Sequence, residues 1–269
     1  MHLDALRERL VAGSHEAADW LLDWYSAVDS TNARLLVEPP ASVWQVLGCD
    51  WQSAGRGRMG RSWLCAPGDG LMMSLACNLS PGPGCPALLG HWAALALLEA
   101  LQELLPPDRL RWKWPNDVLA VDHTGNPAKL AGLLVQTQIQ GASVRAVIGL
   151  GLNLRQREFP SDLRTPATSL LLAGVADPDP LECAARWLLA LWHSRALLDR
   201  PESLLQALAL RDGCRGQLLE LELGGVRQRA ELLGYAPDGG IRLRTAQGET
   251  VHHDGELRLL VGRPQDRES

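Results

Sequence analysis

The stretch Gly55-Arg56-Gly57-Arg58-Met59-Gly60-Arg61-Ser62-Trp63 has two readings, and the choice between them decides the fold. Its first six residues match G-x-G-x-x-G, the pattern with which a dinucleotide-binding βαβ unit wraps a pyrophosphate. That reading needs a helix starting inside the pattern and an acidic residue about 20 positions later. Neither is there. Leu64-Cys65-Ala66-Pro67-Gly68 follows, which is not helical, and no Asp or Glu occurs from 70 to 98. The stretch is therefore a glycine-rich loop between two apolar, β-prone runs, 43–51 and 71–79. Glycine lets backbone amides approach an anion, and Arg56, Arg58 and Arg61 supply forked donors suited to phosphate or carboxylate. Because glycine also raises the entropy of a free loop, this one is expected to order on its ligand. A solvated basic loop and a nucleic-acid patch are the competing readings of the same residues.

Working outward, apolar spacing predicts a helix over 3–11, an extended run over 20–28, and a short helix capped by Ser30 or Thr31 and stopped by Pro39-Pro40. Beyond the loop and a turn at Pro81-Gly82-Pro83-Gly84, residues 86–105 read as a helix apolar almost all round, hence buried on more than one side. Runs at 110–114, 118–121, 130–140 and 144–154 read as strands, with a turn at 122–127, and 181–198 and 202–210 read as helices. From Gly216 the texture changes to short strands at 217–223, 226–235, 241–245, 249–253 and 256–261, which predicts a small β-barrel appended to an α+β domain. The last residues, 263–269, read as a frayed tail.

Composition sets the outer limits. The chain has 269 residues, 46% hydrophobic and 21% charged, with a formal net charge of −5. That suits a globular protein and discourages non-specific nucleic-acid binding as the main activity. No run is long and apolar enough to span a membrane, and the N-terminus lacks the apolar core of a signal peptide, so a cytoplasmic protein is expected. Six cysteines are scattered without C-x-x-C or metal-ligand spacing, as small buried hydrophobes in a reducing compartment would be. His252-His253 fall in a strand-like run, where neighbours face opposite ways, so the pair does not suit one metal.

Three further segments carry chemistry. In Lys113-Trp114-Pro115-Asn116-Asp117, Pro115 stiffens the chain and presents Asn116 and Asp117 at a strand end, as an Asx turn or as a contact to hydrated Mg²⁺ and phosphates. Lys129 opens an otherwise apolar run, either as a surface cap or facing an anion at a pocket edge, and Gly132 leaves room for a ligand beside the backbone. Gly149-Leu150-Gly151-Leu152-Asn153 repeats small residues on a strand, so that something flat can approach.

Together, Asp29-Ser30-Thr31-Asn32, Gln52 with the Gly55 to Trp63 run, Lys113 to Asp117, Lys129 to Leu133 and Gly149 to Asn153 resemble the biotin protein ligase family, in the family's order. The resemblance implies a mixed β-sheet with helices on one side, of the class II synthetase type, over 1–213, and an SH3-like β-barrel over 214–269. It implies a two-step reaction: biotin and MgATP form biotinyl-5′-AMP, and a lysine of a biotin carboxyl carrier domain, as in acetyl-CoA carboxylase, then takes the biotin. It places Ser30, Thr31, Asn32 and Gln52 at the biotin head group, Arg56, Gly57 and Arg58 over the carboxylate and phosphate, and Gly132 beside biotin. Lys129 meets the carboxylate and α-phosphate. Arg61, Trp63 and Asn153 join the adenylate side, Asn116 contacts Mg²⁺ and phosphates, and Asp117 orients the incoming lysine or takes its proton. Lys129, Arg58 and Asp117 are the implied catalytic set. A homodimer through a sheet edge is allowed, and with 28 residues before Asp29 the form without the DNA-binding module of bifunctional relatives is expected. One departure is clear: His252-His253-Asp254-Gly255-Glu256 stands where relatives often have a Gly-Gly-Glu turn. A lipoate or octanoate ligase and a non-catalytic biotin sensor are the competing functions.

Overall fold

The computed structural model describes residues 3–79, 85–140, 143–215 and 217–259. Its larger sheet has the order β1-β2-β3-β7-β6-β5-β4, built from β1 (Leu21–Tyr25), β2 (Gln45–Cys49), β3 (Gly70–Leu79), β4 (Leu110–Lys113), β5 (Asp117–Val121), β6 (Pro127–Gln140) and β7 (Ser143–Asn153). Only β1 and β2 pair in parallel; the other ladders are antiparallel, so the sheet is mixed. The helices are α1 (Leu3–Gly13), α2 (Thr31–Val37), α3 (Cys85–Leu101), α4 (Pro180–Ser194) and α5 (Pro201–Ala209). The turn expected at 81–84 and the tail from 263 lie outside the described residues. No helix among the described residues is long and apolar enough to cross a membrane.

Strand alternation assigns the two faces of the sheet. Leu71, Met73 and Leu75 of β3 and Ile148, Leu150 and Leu152 of β7 enter the main core with α1, α3, α4 and α5. The intervening Ala76 and Val147 face the other way, against Leu35 of the short α2. The bulky helices thus cover one face, and α2 alone sits on the other. The helix predicted over 86–105 ends at Leu101, and the strand predicted from Leu130 begins at Pro127. Tryptophan fills the rim of the core: Trp20 lies 4.7 Å from Trp44, and Trp192 of α4 lies 5.4 and 5.0 Å from them. Cys49, Cys65, Cys183 and Cys214 are free thiols, each pushed up to about 12, chiefly by burial.

The second sheet has the order β11-β10-β9-β8-β12, from β8 (Leu218–Leu223), β9 (Val226–Tyr235), β10 (Ile241–Thr245), β11 (Gly248–His252) and β12 (Glu256–Leu259). The strands fall where the alternation predicted, but among the described residues no ladder joins β11 to β12, so the expected barrel is an open, SH3-like antiparallel sheet. Closure is not needed to bury its apolar face: Leu219, Leu221, Leu232, Ile241, Leu243 and Leu257 belong to the same core cluster as α3 and the first sheet.

Candidate functional site

The site lies on the α2 face of the larger sheet, and glycine makes its floor. Gly149 and Gly151 alternate on β7 with the core residues Ile148, Leu150 and Leu152, and Gly132 of β6 pairs with Gly151. Each glycine is there for a neighbour. A Cβ at Gly149 would lie 2.2 Å from Asn32 Oδ1, and one at Gly151 would lie 2.4 Å from the Trp63 ring. One at Gly132 would lie 3.1 Å from that ring and 3.2 Å from Lys129 Nζ. The space predicted beside Gly132 for a ligand is therefore bordered by Trp63 and Lys129.

Above this floor is a cavity of about 390 Å³. Of the sequence-predicted residues, Ser30, Asn32, Gln52, Arg56, Gly57, Arg58, Arg61, Trp63, Asn116, Asp117, Lys129, Gly132 and Asn153 all line it. Thr31 stands one layer behind. It fixes Gln52 by donating its backbone N–H to Oε1 at 2.8 Å. Asn32 donates to Leu134 O at 3.1 Å and Gln136 Oε1 at 3.0 Å. Ser74, buried on β3, joins the pair, with its Oγ 2.7 Å from Thr31 Oγ1 and 2.6 Å from Asn32 Oδ1. Sequence reasoning missed Ser74; its one signal was a hydroxyl inside an apolar strand. Ser30 caps α2 through Ala33 N, and Arg145 closes the helix's other end by donating to Leu35 O and Glu38 O.

At the opposite end, Lys113 and Asp117 face each other across the β4–β5 hairpin, whose Trp114–Pro115 bond is cis. Asp117 lies 3.3 Å from Lys113 Nζ and 2.6 Å from Lys129 Nζ. Burial pushes its carboxyl up, but Lys129 and then Lys113 outweigh burial and hold it below the usual carboxylate range. A β-bulge between Val118 and Leu119 aims Lys129: the register slips so that Leu119 pairs with Lys129 rather than Leu130, and the lysine comes out beside Gly132. Its ammonium then sits 5.6 Å from the Trp63 ring centre. Asn116 donates to Leu133 O at 3.2 Å, and Asn153 is held at both ends of its amide, donating to Thr168 O and accepting from Gln156.

The arginine loop is a tight hairpin. Trp63 N donates to Gly55 O at 2.9 Å, Arg56 bridges Ser62, and Gly57 N donates to Arg61 O at 2.7 Å. Its tip turns through Met59 (φ 55°) and Gly60 (φ 72°). Two partners distant in sequence meet it: Arg58 pairs with Asp254 of the β11–β12 turn, and Arg61 with Glu256, the first residue of β12. The segment 159–167, to which the sequence reading assigned nothing, closes the cavity wall and brings Arg164 to Glu256.

In this chain a lysine held by one carboxylate, roofed by arginines, is set over a glycine floor beside an amide-lined recess. A family model described as the biotin/lipoate A/B protein ligase family matches residues 28–153, the span that contains this floor, the hairpin and the lysines. That span is a domain of this family. A biotin–[acetyl-CoA-carboxylase] ligase of Mycobacterium tuberculosis is 36% identical over 192 residues, 68% of this chain and 66% of that protein. One of Paracoccus denitrificans is 42% identical over 131 residues, 47% of this chain and 51% of that protein. The chain thus spans about half to two thirds of the length of these curated relatives. Among solved structures, a biotin protein ligase from Aquifex aeolicus in complex with biotin and ATP superposes with a TM-score of 0.70 at 27% identity, over 89% of this chain and 98% of that one. The structural likeness extends past the matched span to the second sheet.

Proposed function

We propose that the protein is an ATP-dependent biotin–[biotin carboxyl-carrier protein] ligase. In the first step a carboxylate oxygen of biotin attacks the α-phosphorus of MgATP; the bond to the bridging oxygen of the β-phosphate breaks, leaving biotinyl-5′-AMP and pyrophosphate. In the second, the neutral amine of a carrier lysine attacks the acyl carbon, AMP departs, and the amine gives up a proton to solvent. One observation carries this reading: the Lys129 ammonium, fixed 2.6 Å from Asp117, stands at the cationic end of a cavity whose opposite end is lined by Ser30, Asn32 and Gln52. That suits a ligand with a hydrogen-bonding head, an apolar body and an anionic tail.

The first step brings an anionic carboxylate against a polyanion. Lys129, Arg56 and Arg58 offset that repulsion, and Lys129 does so from a position fixed by Asp117, which is where preorganised charge contributes most. Asn116 spends its amide N–H on Leu133 O, which leaves Oδ1 for a Mg²⁺ carried in by the triphosphate. Of the two roles open to Asp117, its depressed pKa favours orientation: a carboxylate held ionised by two lysines is a poor base. Trp63, with its indole N–H buried and unpartnered, offers a face and a donor to the adenine side.

The test is biotin-dependent pyrophosphate release from ATP, followed by transfer of labelled biotin to a carrier domain. Release with lipoate or octanoate and not biotin moves the activity to the other branch of the family, and biotin binding without transfer makes the protein a sensor.

A further inference from the structure

The β11–β12 turn and the first residue of β12 grip the arginine hairpin at two points that are not equivalent. Arg58 Nη2 lies 2.6 Å from Asp254 Oδ1, a partner 196 residues away in sequence. Arg61 pairs with both oxygens of Glu256, at 2.8 and 2.9 Å. Glu256 is only 13% exposed and also holds Arg164 at 2.9 Å, so it ties the hairpin and the 159–167 wall to one carboxylate. Asp254 is 76% exposed, and its Oδ1 is shared with the Gly255 N–H at 2.8 Å. An ion pair between guanidinium and an exposed, shared oxygen is weak and exchanges readily, whereas a shielded carboxylate between two guanidinium groups does not. Arg58 leaves the hairpin at the turn through Met59 and Gly60 and lines the cavity while it touches Asp254.

We propose that Asp254 is a positioning residue: it holds Arg58 at the mouth of the cavity and yields it to the anionic end of the ligand, while Glu256 remains the fixed attachment. The second half of this statement rests on the reading above, in which that end is a carboxylate or phosphate. Asp254 and the ligand then compete for one guanidinium. Removing the carboxylate loosens the hairpin when no ligand is added and frees Arg58 for the ligand.

Trypsin needs an accessible arginine, so its cut at the Arg58–Met59 bond reports how firmly Arg58 is held. Full-length wild type, Asp254→Asn and Asp254→Glu are digested briefly and the fragments quantified by mass spectrometry, at low and at about 0.5 M salt. Without ligand at low salt, Asp254→Asn is cut about two- to fivefold faster than wild type, Asp254→Glu restores protection, and high salt narrows the gap. Equal rates for wild type and Asp254→Asn overturn the proposal, as does failure of Asp254→Glu to restore protection. In the pyrophosphate assay Asp254→Asn lowers KM for MgATP by about the same factor with kcat within about twofold; a fall in kcat at unchanged KM overturns it. If biotin and MgATP protect none of the three proteins, the ligase reading has failed, and the cleavage rates without ligand still decide whether Asp254 holds Arg58.

Discussion

Asp117 shows how much one side chain takes from its surroundings. With Lys113 and Lys129 at 3.3 and 2.6 Å it stays ionised although buried. The sign of its linkage follows. A carboxyl whose folded pKa is depressed stabilises the fold above its unfolded value, about 3.9, and that contribution is lost only as pH falls through the lower folded value. Asp117→Asn therefore flattens the acid limb of the stability curve and lets Lys129 swing free, which a pH series of denaturant midpoints reads directly. Lys129→Ala removes the charge proposed for the reacting centre, and biotin-dependent pyrophosphate release should fall by about 10²–10³ in kcat; the melting temperature should fall too, because the buried Asp117 loses its nearer partner, and a loss in kcat below tenfold sinks the assignment. Lys129, Arg58 and Asn116 were legible because their motifs are contiguous. Ser74 and Asp254 were not, because each acts across strands or sheets that only folding brings together.

At the scale of elements, β7 is a strand with two jobs. Its even positions fill the core, and its odd ones, Gly149 and Gly151, are emptied of side chain so that Asn32 and Trp63 can lie against the backbone. The period-2 pattern was readable in sequence; what occupies the vacated face was not. Gly151→Ala puts a methyl carbon into the Trp63 ring. It should displace the indole and raise KM for ATP several-fold, and intrinsic tryptophan fluorescence checks the displacement independently of activity. β6 shows the limit of pattern reading. Strict alternation places Lys129 and Gly132 on opposite faces, and the bulge opposite Val118 and Leu119 reverses that parity. Nothing local marks the bulge, since it depends on the β5 partner.

For the whole molecule, the notable fact is that two sheets share one core. A single calorimetric transition is expected for the full chain, and two resolved transitions would show that the sheets unfold separately. His91 of α3 sits at the joint, its ring edge-on to Tyr235 at 5.4 Å and close to Trp112, with burial pushing it down to about 4. A histidine held neutral in the fold costs stability where the unfolded chain protonates and the folded one does not, between about pH 6.5 and 4. Wild type should lose about 2 kcal/mol between pH 7 and 5, and His91→Phe less, as read by denaturant melts at the two pH values. By itself the sequence determined the element types, the order of the motifs, and which contiguous residues carry donors for an anion, because propensity and hydrophobic period act within a few residues. Only the tertiary structure decided that the second sheet stays open among the described residues, which way Lys129 points, and that Asp254 and Glu256 face the arginine hairpin. Those outcomes are set by partner strands and by a shared core, which bring together residues too distant in the chain to leave a mark on each other's local pattern.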